Sequence, residues 1–147
     1  MSESEFINKV LDEAKKLGGC DRFAGLFDKV RSIKDLIRIL RTPQGAEFCV
    51  EHNFPSQQLW EEADSLFNLY QYGIFVNQDV TIYDRNDIYI INGRCDVICE
   101  HPIAHNIKLL HGSEVELTAI NYAVATIDAS SDSNYKVKLK DDTVVIL

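Results

Sequence analysis

The sequence predicts an α+β fold in which a helical segment of residues 1–72 packs on an all-β domain of residues 73–147. Two observations support this prediction. Apolar residues recur with the 3.6-residue period of a helix in the first half of the chain, and from about residue 70 they recur with the two-residue period of a strand. No segment rich in Pro, Gly or Ser separates the halves, so we expect the helices to contact the β part directly.

The first predicted helix begins at Ser2 and ends at Gly18-Gly19. Ser2 with Glu5 three residues later matches a capping box, and glycine commonly follows the C-terminus of a helix. Its apolar face consists of Phe6, Ile7, Val10, Leu11, Ala14 and Leu17. A shorter helical segment is predicted from Asp21 to Val30.

Three more helices are predicted before the β part. Ser32 with Asp35 begins one of them, and Thr42 followed by Pro43 begins the next, which runs to about His52. After a break at residues 53–55, Ser56 caps the last helix. The inward side chains of the first and last of these three helices are Ile33, Leu36, Ile37 and Leu40, and Leu59, Trp60, Ala63, Leu66 and Phe67.

The β part contains eight short triplets in which an apolar residue, any residue and a second apolar residue follow one another. Asp, Asn, Gly and Ser collect between the triplets, and alternation bounded by such turn residues predicts short strands. The triplets are Val80–Ile82, Ile88–Ile90, Val97–Cys99, Ile107–Leu109, Val115–Leu117, Val124–Thr126, Val137–Leu139 and Val144–Ile146.

The short triplets favour a parallel β-helix or β-solenoid, in which very short strands stack around a narrow core. The alternative is an antiparallel β-sandwich or meander, but only Asn92-Gly93 is a two-residue hairpin turn. The last five residues, Thr143 to Leu147, are uncharged. We expect this edge strand to pair with the neighbouring triplet Val137–Leu139 or with a second copy of the chain.

Composition narrows the possible partners and the compartment. The 147-residue chain has a formal net charge of -8, which opposes non-specific binding to nucleic acid or to anionic membranes. No run of 18 or more apolar residues suits a membrane span, and the acidic N-terminus does not resemble a signal peptide. The four cysteines are predicted to be free thiols, which indicates a cytoplasmic protein.

Two groups of cysteine and histidine residues are candidate sites. Cys95, Cys99, His101 and His105 are residue types that bind zinc, but an extended chain separates the two thiols by about 13 Å at ~3.3 Å per residue, so no metal site is predicted. Cys49 and His52 share a helix face. Their acidic neighbours Glu47 and Glu51 disfavour a thiolate, so we expect Cys49 to pack in the core.

The remaining polar candidates lie in and between the triplets. Carboxylates and bases on adjacent strands can perform acid–base catalysis, as in enzymes built on long β-helices; the candidates are Asp84, Arg85, Asp87, Arg94, Asp96 and Glu100. His111-Gly112-Ser113 is a turn that could offer N–H groups to an anion. Tyr83, Tyr89, Tyr122 and Tyr135 are expected to cover the strands with their hydroxyls in solvent. No phosphate-binding glycine motif occurs.

The sequence therefore predicts a non-catalytic, cytoplasmic protein-interaction or self-assembly module. The expected partner is another protein or a second copy of the chain, not nucleic acid or a membrane. No catalytic residue, cofactor or metal ligand is assigned. The alternative is a small enzyme or ligand binder that acts on a carbohydrate-like or other polar molecule at the junction of the helical and β parts.

Overall fold

The computed structural model describes residues 1–18, 27, 29–139 and 144–146. Contacts divide the chain into two compact units, Met1–Asn68 and Leu69–Leu147. The described part of the first unit contains four α-helices: α1 (Glu3–Lys16), α2 (Ile33–Leu40), α3 (Pro43–His52) and α4 (Gln57–Phe67). None of these helices combines the length and the apolar character that a membrane crossing requires.

All four predicted N-caps are confirmed. A hydroxyl oxygen accepts the N–H of the third residue after it, which satisfies one of the amide groups left open at a helix start. The acceptors Ser2 Oγ, Ser32 Oγ, Thr42 Oγ1 and Ser56 Oγ bond the N–H groups of Glu5, Asp35, Gly45 and Leu59 at 3.1, 3.2, 3.1 and 3.3 Å. The positions of these short polar residues therefore determine where the helices begin.

Two carboxylates of α1 link the helices to one another. Glu3 Oε1 accepts the N–H of Ile33 at 2.7 Å, at the start of α2. Glu13 Oε1 accepts the N–H of Ser56 at 2.6 Å, at the start of α4. A carboxylate is favourable at a helix N-terminus because it meets both open N–H groups and the positive end of the helix dipole.

The apolar core of the first unit comes from the predicted helix faces. On α1, four of the six residues of its predicted face, Phe6, Ile7, Val10 and Ala14, are buried. Most of the segment Asp21 to Val30, which was predicted to be helical, lies outside the described residues, although Phe27 and Val30 are buried. The predicted inward residues that are buried in α2 and α4 are Ile33, Leu36, Ile37, Leu40, Leu59, Trp60 and Ala63. The prediction for Leu66 of α4 is wrong, because its side chain is 42% exposed.

The described part of the second unit contains a short 3-10 helix, Leu69–Tyr72, and nine strands. The strands are β1 (Ile74–Val76), β2 (Thr81–Tyr83), β3 (Asp87–Ile91), β4 (Arg94–Cys99), β5 (Ala104–Leu110), β6 (Glu114–Ala119), β7 (Val124–Ala129), β8 (Asn134–Leu139) and β9 (Val144–Ile146). Every predicted triplet except the first lies wholly within a strand.

The nine strands form two sheets. One sheet has the order β1-β3-β5-β7-β9 and the other the order β2-β4-β6-β8, so successive strands alternate between the sheets. Each strand from β1 to β7 pairs in parallel with the second strand after it. Paired residues are 15 positions apart in the first two pairs, as in Thr81 and Asp96, and 20 apart in the last four, as in Glu114 and Asn134.

These sheets correct the predicted fold class. The sequence predicted a short parallel β-helix or β-solenoid of three-residue strands, with an antiparallel sandwich or meander as the alternative. The structure instead has α-helices together with two open, wholly parallel sheets, neither of which closes on itself, and six of the nine described strands contain five to seven residues. The antiparallel alternative is wrong because every described strand pair is parallel.

Strand length was underestimated because small or polarisable residues occupy inward positions beside the obvious apolar ones. In β4 the buried residues are Cys95, Val97 and Cys99, and in β6 they are Val115, Leu117 and Ala119. Cysteine and alanine are often buried but carry a weak strand signal. The alternation therefore continues past the triplets that larger aliphatic residues mark.

The partner predicted for the C-terminal strand is also wrong. β9 pairs with β7, where Val124 is opposite Val144, and not with the neighbouring strand β8. Consecutive strands belong to different sheets, so sequence neighbours cannot be ladder partners here. Thr143 and Leu147, which the prediction included, lie outside the described residues.

The side chains between the two sheets form one apolar core. Rows of inward residues run across each sheet because the parallel register stacks equivalent positions. Ile88, Ile107 and Ile127 form a row in the five-stranded sheet, and Ile82, Val97 and Leu117 form one in the four-stranded sheet. All six side chains are at most 3% exposed, so the core consists of stacked rows rather than scattered contacts.

A column of hydrogen bonds closes one corner of this core. Ser113, which is fully buried, accepts the N–H of Gly93 through its Oγ at 3.2 Å, and its own N–H donates to Ser133 Oγ at 3.1 Å. Its hydroxyl lies 2.8 Å from the carbonyl oxygen of Leu110 and 2.9 Å from that of Ile90. A Cβ on Gly93 would lie 2.5 Å from the carbonyl oxygen of Gln78, so only glycine fits there.

We expect Val115→Asp or Leu117→Asp to unfold the second unit or to destabilise it by at least ~3 kcal/mol, because each places a carboxylate in an apolar row. Glu116→Gln, between them, should hardly change the unfolding midpoint, since its side chain is 41% exposed and only one surface ion pair, with Lys138, is lost. Chemical denaturation monitored by circular dichroism measures all three. Equal effects at the three positions would contradict the observed alternation.

Ser113→Ala should destabilise the protein by about 1–3 kcal/mol, because the buried N–H of Gly93 loses its acceptor. Ser131→Ala is the matched control, since Ser131 is exposed in the turn between β7 and β8 and should change stability by less than about 0.5 kcal/mol. Urea denaturation of both variants tests this. A loss at Ser113 no larger than that at Ser131 would show that the column contributes little.

Candidate functional site

The four candidate zinc ligands are held in separate environments. Cys95 and Cys99 both point into the core from β4, and His101 follows β4 and pairs with Asp84. The fully buried ring of His105 lies between two carbonyl oxygens, that of Arg85 at 3.1 Å from Nδ1 and that of His101 at 3.2 Å from Nε2. Among the described residues, no group of three or more His, Cys, Asp or Glu side chains has the arrangement of a metal site.

The buried thiols do not have the properties of nucleophiles. Burial, assisted by the charge of Asp84, raises the pKa of Cys99 to about 12. Burial also raises the pKa of Cys95. A reactive cysteine needs an accessible thiolate, whereas these groups are protonated at neutral pH. Cys49, Cys95 and Cys99 are free thiols, as predicted, and Cys20 lies outside the described residues.

Cys49 and His52 do not form a catalytic pair. Cys49 is fully buried in α3, as the sequence predicted. The ring of His52 instead packs against Phe48, with 4.6 Å between ring centroids, and its Nε2 lies 4.0 Å from a carboxylate oxygen of Glu51. The histidine therefore faces a phenyl ring and a carboxylate.

Asp84 organises the loop after β4. Its Oδ1 accepts the N–H groups of Glu100 at 2.6 Å and His101 at 3.1 Å, and its Oδ2 lies 2.9 Å from His101 Nδ1. Partial burial raises the pKa of Asp84, but these hydrogen bonds and the nearby imidazole outweigh that effect and lower the pKa below its ordinary value of 3.8. The carboxylate therefore stays ionised and holds the loop in place.

The other predicted acid–base candidates are dispersed. The guanidinium of Arg85 lies over the rings of Tyr70 and Phe75, at 5.7 and 5.9 Å from their centroids. Asp87 begins β3 on the other sheet, and Glu100 is exposed. Arg85, Asp87 and Glu100 therefore do not form one acid–base site. Arg94 and Asp96 both lie on the exposed side of β4.

The candidate turn and the four candidate tyrosines do not form a binding site. In the turn His111-Gly112-Ser113, the N–H of Ser113 already donates to Ser133. Tyr83 and Tyr122 are 62% and 63% exposed and Tyr135 is 36% exposed. Tyr89 is fully buried, which corrects the prediction that its hydroxyl reaches solvent.

The candidate site is the outer face of the four-stranded sheet, which consists of the side chains that point away from the core. Wholly parallel sheets are ordinarily covered on both faces. In the five-stranded sheet this holds for β3, where four successive residues are buried. Here outward residues are exposed or half-buried on all four strands. They form three rows: Thr81-Asp96-Glu116-Lys136, Tyr83-Ile98-Thr118-Lys138 and Arg94-Glu114-Asn134.

Charges on the outer face are balanced and paired between strands. Arg94 Nε lies 3.4 Å from Glu114 Oε2, and Lys138 Nζ bonds Glu116 Oε1. The Lys138 hydrogen bond and charge lower the pKa of Glu116, and the same contact raises the pKa of Lys138. The acidic residues of the outer face lie on β4 and β6, and the charged residues of β8 are both lysines, Lys136 and Lys138. This order gives the outer face a basic side.

A shallow hollow of about 620 Å³ lies at the beginning of β4, β6 and β8. Arg94, Glu114, Lys136 and Tyr135 are among its lining residues. Its walls mix charges of both signs with one aromatic ring, and this composition suits contact with a polar protein segment.

Comparison with known proteins finds no match: no protein-family model, no curated protein and no solved structure is significantly similar to this chain. The outer face therefore has to be interpreted from its own chemistry.

Sequence reasoning missed the outer face as a site, although it named Arg94, Asp96 and Tyr83. The available signal was a 20-residue period: Gly93-Arg94, Ser113-Glu114 and Ser133-Asn134 begin equivalent strands. Each is followed by alternating inward and outward residues. Recognising that period would have aligned Glu114, Glu116, Lys136 and Lys138 on one surface.

Asp84→Asn should lower the melting temperature at pH 7 by about 3–5 °C, because a charged acceptor of backbone N–H groups is lost while asparagine tolerates the left-handed backbone (φ 51°). The folded pKa of Asp84 lies below 3.8, so its stabilisation is complete above 3.8 and is lost as pH falls through the lower folded value. The difference between wild type and variant should shrink as the pH falls below about 4 in thermal melts. A constant difference would contradict this role.

Proposed function

We propose that the protein is a non-catalytic, cytoplasmic interaction module that binds another protein through the outer face of its four-stranded sheet. One observation carries this proposal: a wholly parallel sheet leaves three rows of side chains accessible to solvent, although such sheets are ordinarily covered on both faces. A partner that covers the outer face would complete the usual arrangement.

The rigidity of the outer face supports this function. Its rows are fixed by parallel hydrogen-bond ladders and by the apolar core beneath them, so the spacing between strands is set at about 4.8 Å. A preformed surface of this kind loses little conformational entropy on binding. Ion pairs such as Arg94 with Glu114 further restrain the side chains.

A non-catalytic role is supported by the chemistry of the candidate residues. The thiols of Cys95 and Cys99 are buried and have raised pKa values, and Asp84 is used to hold backbone N–H groups. Three buried free thiols also support a reducing compartment such as the cytoplasm.

A different protein is a better partner for the outer face than a second copy. Joining two copies edge to edge through β8 would bring Lys136 and Lys138 of one copy near the same lysines of the other, and like charges directly opposite each other are destabilising. Lysines on an edge strand also oppose unwanted self-pairing.

Photo-crosslinking tests the proposal with a matched pair of positions. Tyr83 is on the outer face and Tyr122 is in the turn after β6, and the two are almost equally exposed. We expect p-benzoylphenylalanine at position 83, in the cells that make the protein, to give one discrete adduct that excess unlabelled protein competes away. The same group at position 122 should not give that adduct.

Three other crosslinking results would contradict the proposal. No competable adduct from position 83, or the same adduct from both positions, would remove the outer face as a binding surface. An adduct of twice the chain's 16.7 kDa mass would show self-assembly instead of a separate partner.

A further inference from the structure

The four-stranded sheet ends at β8, and the described residues supply no strand beyond it. β9, which follows β8 in the chain, is the last strand of the other sheet. Because the strands alternate between sheets, the place beside β8 is the next one that a further strand would occupy. β8 is therefore an edge at which strand pairing can continue.

The backbone of β8 has the orientation that strand addition requires. The N–H of Asn134 donates to the carbonyl of Ser113 at 2.9 Å, towards β6. Successive residues of a strand point their backbone groups to opposite sides, so the N–H groups of Tyr135 and Val137 point away from β6. They are positioned to bond an added strand.

The side chains of β8 define what such a strand should contain. Lys136 and Lys138 are exposed on the outer face, and Tyr135 is 36% exposed. Val137 is half-buried and packs against the core cluster. An added strand should therefore place acidic side chains beside the lysines and apolar ones beside Val137.

β6 already provides this pattern on the other side of β8. Glu114 and Glu116 point outward, Val115 and Leu117 point inward, and Glu116 bonds Lys138. A segment with the same alternation would repeat on the free edge the charge pairing that β6 makes with β8.

We propose that the free edge of β8 binds an extended segment of the partner protein in which acidic and apolar residues alternate, as one more parallel strand. This inference rests on the proposed function and names the segment of the partner that binds at the β8 edge, beside the outer face. Main-chain hydrogen bonds supply affinity in strand addition, and alternate side chains supply specificity. The two lysines select acidic segments and reject basic ones.

The test uses a labelled peptide with the sequence of Gly112–Ile120, which contains β6, and fluorescence anisotropy with the full chain at low salt. We expect saturable binding. Lys136→Gln with Lys138→Gln should weaken it by about three- to ten-fold, in line with two exposed ion pairs. A peptide with Gln in place of both glutamates should bind equally weakly to wild type and to this variant, since the charge pairs are then already absent.

Two controls separate strand addition from general attraction. Lys34→Gln with Lys108→Gln removes the same charge at positions in α2 and in β5, and it should leave binding unchanged. Tyr135→Pro removes an N–H that points to the free edge but none that β6 uses, so it should abolish binding while circular dichroism shows a folded protein.

The outcomes are decisive in both directions. Equal weakening by the two lysine pairs, binding that survives Tyr135→Pro, or no saturable binding up to about 1 mM peptide would each overturn the inference. If a second copy or other residues of this chain already occupied the β8 edge, the peptide would not bind, and the inference would be rejected. A competable adduct at position 83 together with absent peptide binding would retain the proposed function and reject only the acidic strand.

Discussion

Parallel pairing between each strand and the second strand after it is the constraint on which the β unit depends. None of the described strands bonds its sequence neighbour, so each backbone ladder joins residues 15 to 20 positions apart. The same register stacks equivalent side chains, and Leu117 lies between Val97 and Val137 in its row. A short strand cannot be stable alone. Backbone pairing and core packing therefore form together, across the whole unit.

The corners, where the chain passes from one sheet to the other, restrict which residues can be used. The chain turns sharply there, and Asn77, Asp84, Asn92 and His111 adopt left-handed backbone conformations that asparagine, aspartate and histidine tolerate better than most residues. The N–H groups of Asn77, Asp84 and Asn92 donate to carbonyls of the paired strand, but other N–H groups near the corners need a side-chain acceptor. Ser113 provides one with its hydroxyl, and Asp84 provides one with its carboxylate. Residues that looked like candidates for chemistry thus complete the fold.

The two sheets differ in what they leave to solvent, and the proposed function follows from that difference. In the five-stranded sheet β1 is buried throughout and β3 over four successive residues, whereas β5 and β7 alternate between buried and accessible residues. In the four-stranded sheet every strand has accessible outward residues. On the outer face, acids on the inner strands compensate the lysines of β8, but on the far side of β8 no described strand does so. An edge with unused backbone groups and one sign of charge favours a strand of the opposite charge.

The sequence by itself determined the helices and the inward side chains of the strands, since both depend on local patterns. Four hydroxyl caps marked the helix starts, and two-residue alternation identified Val115 and Leu117 as buried. Only the tertiary structure decided strand length, sheet order and the outer face. Cys95 and Ala119 carry a weak strand signal, and the partner of β9 is β7 rather than β8 because pairing skips one strand. Long-range register is not encoded in any short window of the chain, so the alignment of Glu116 with Lys136 shows in the sequence only as a 20-residue spacing, which local patterns do not reveal.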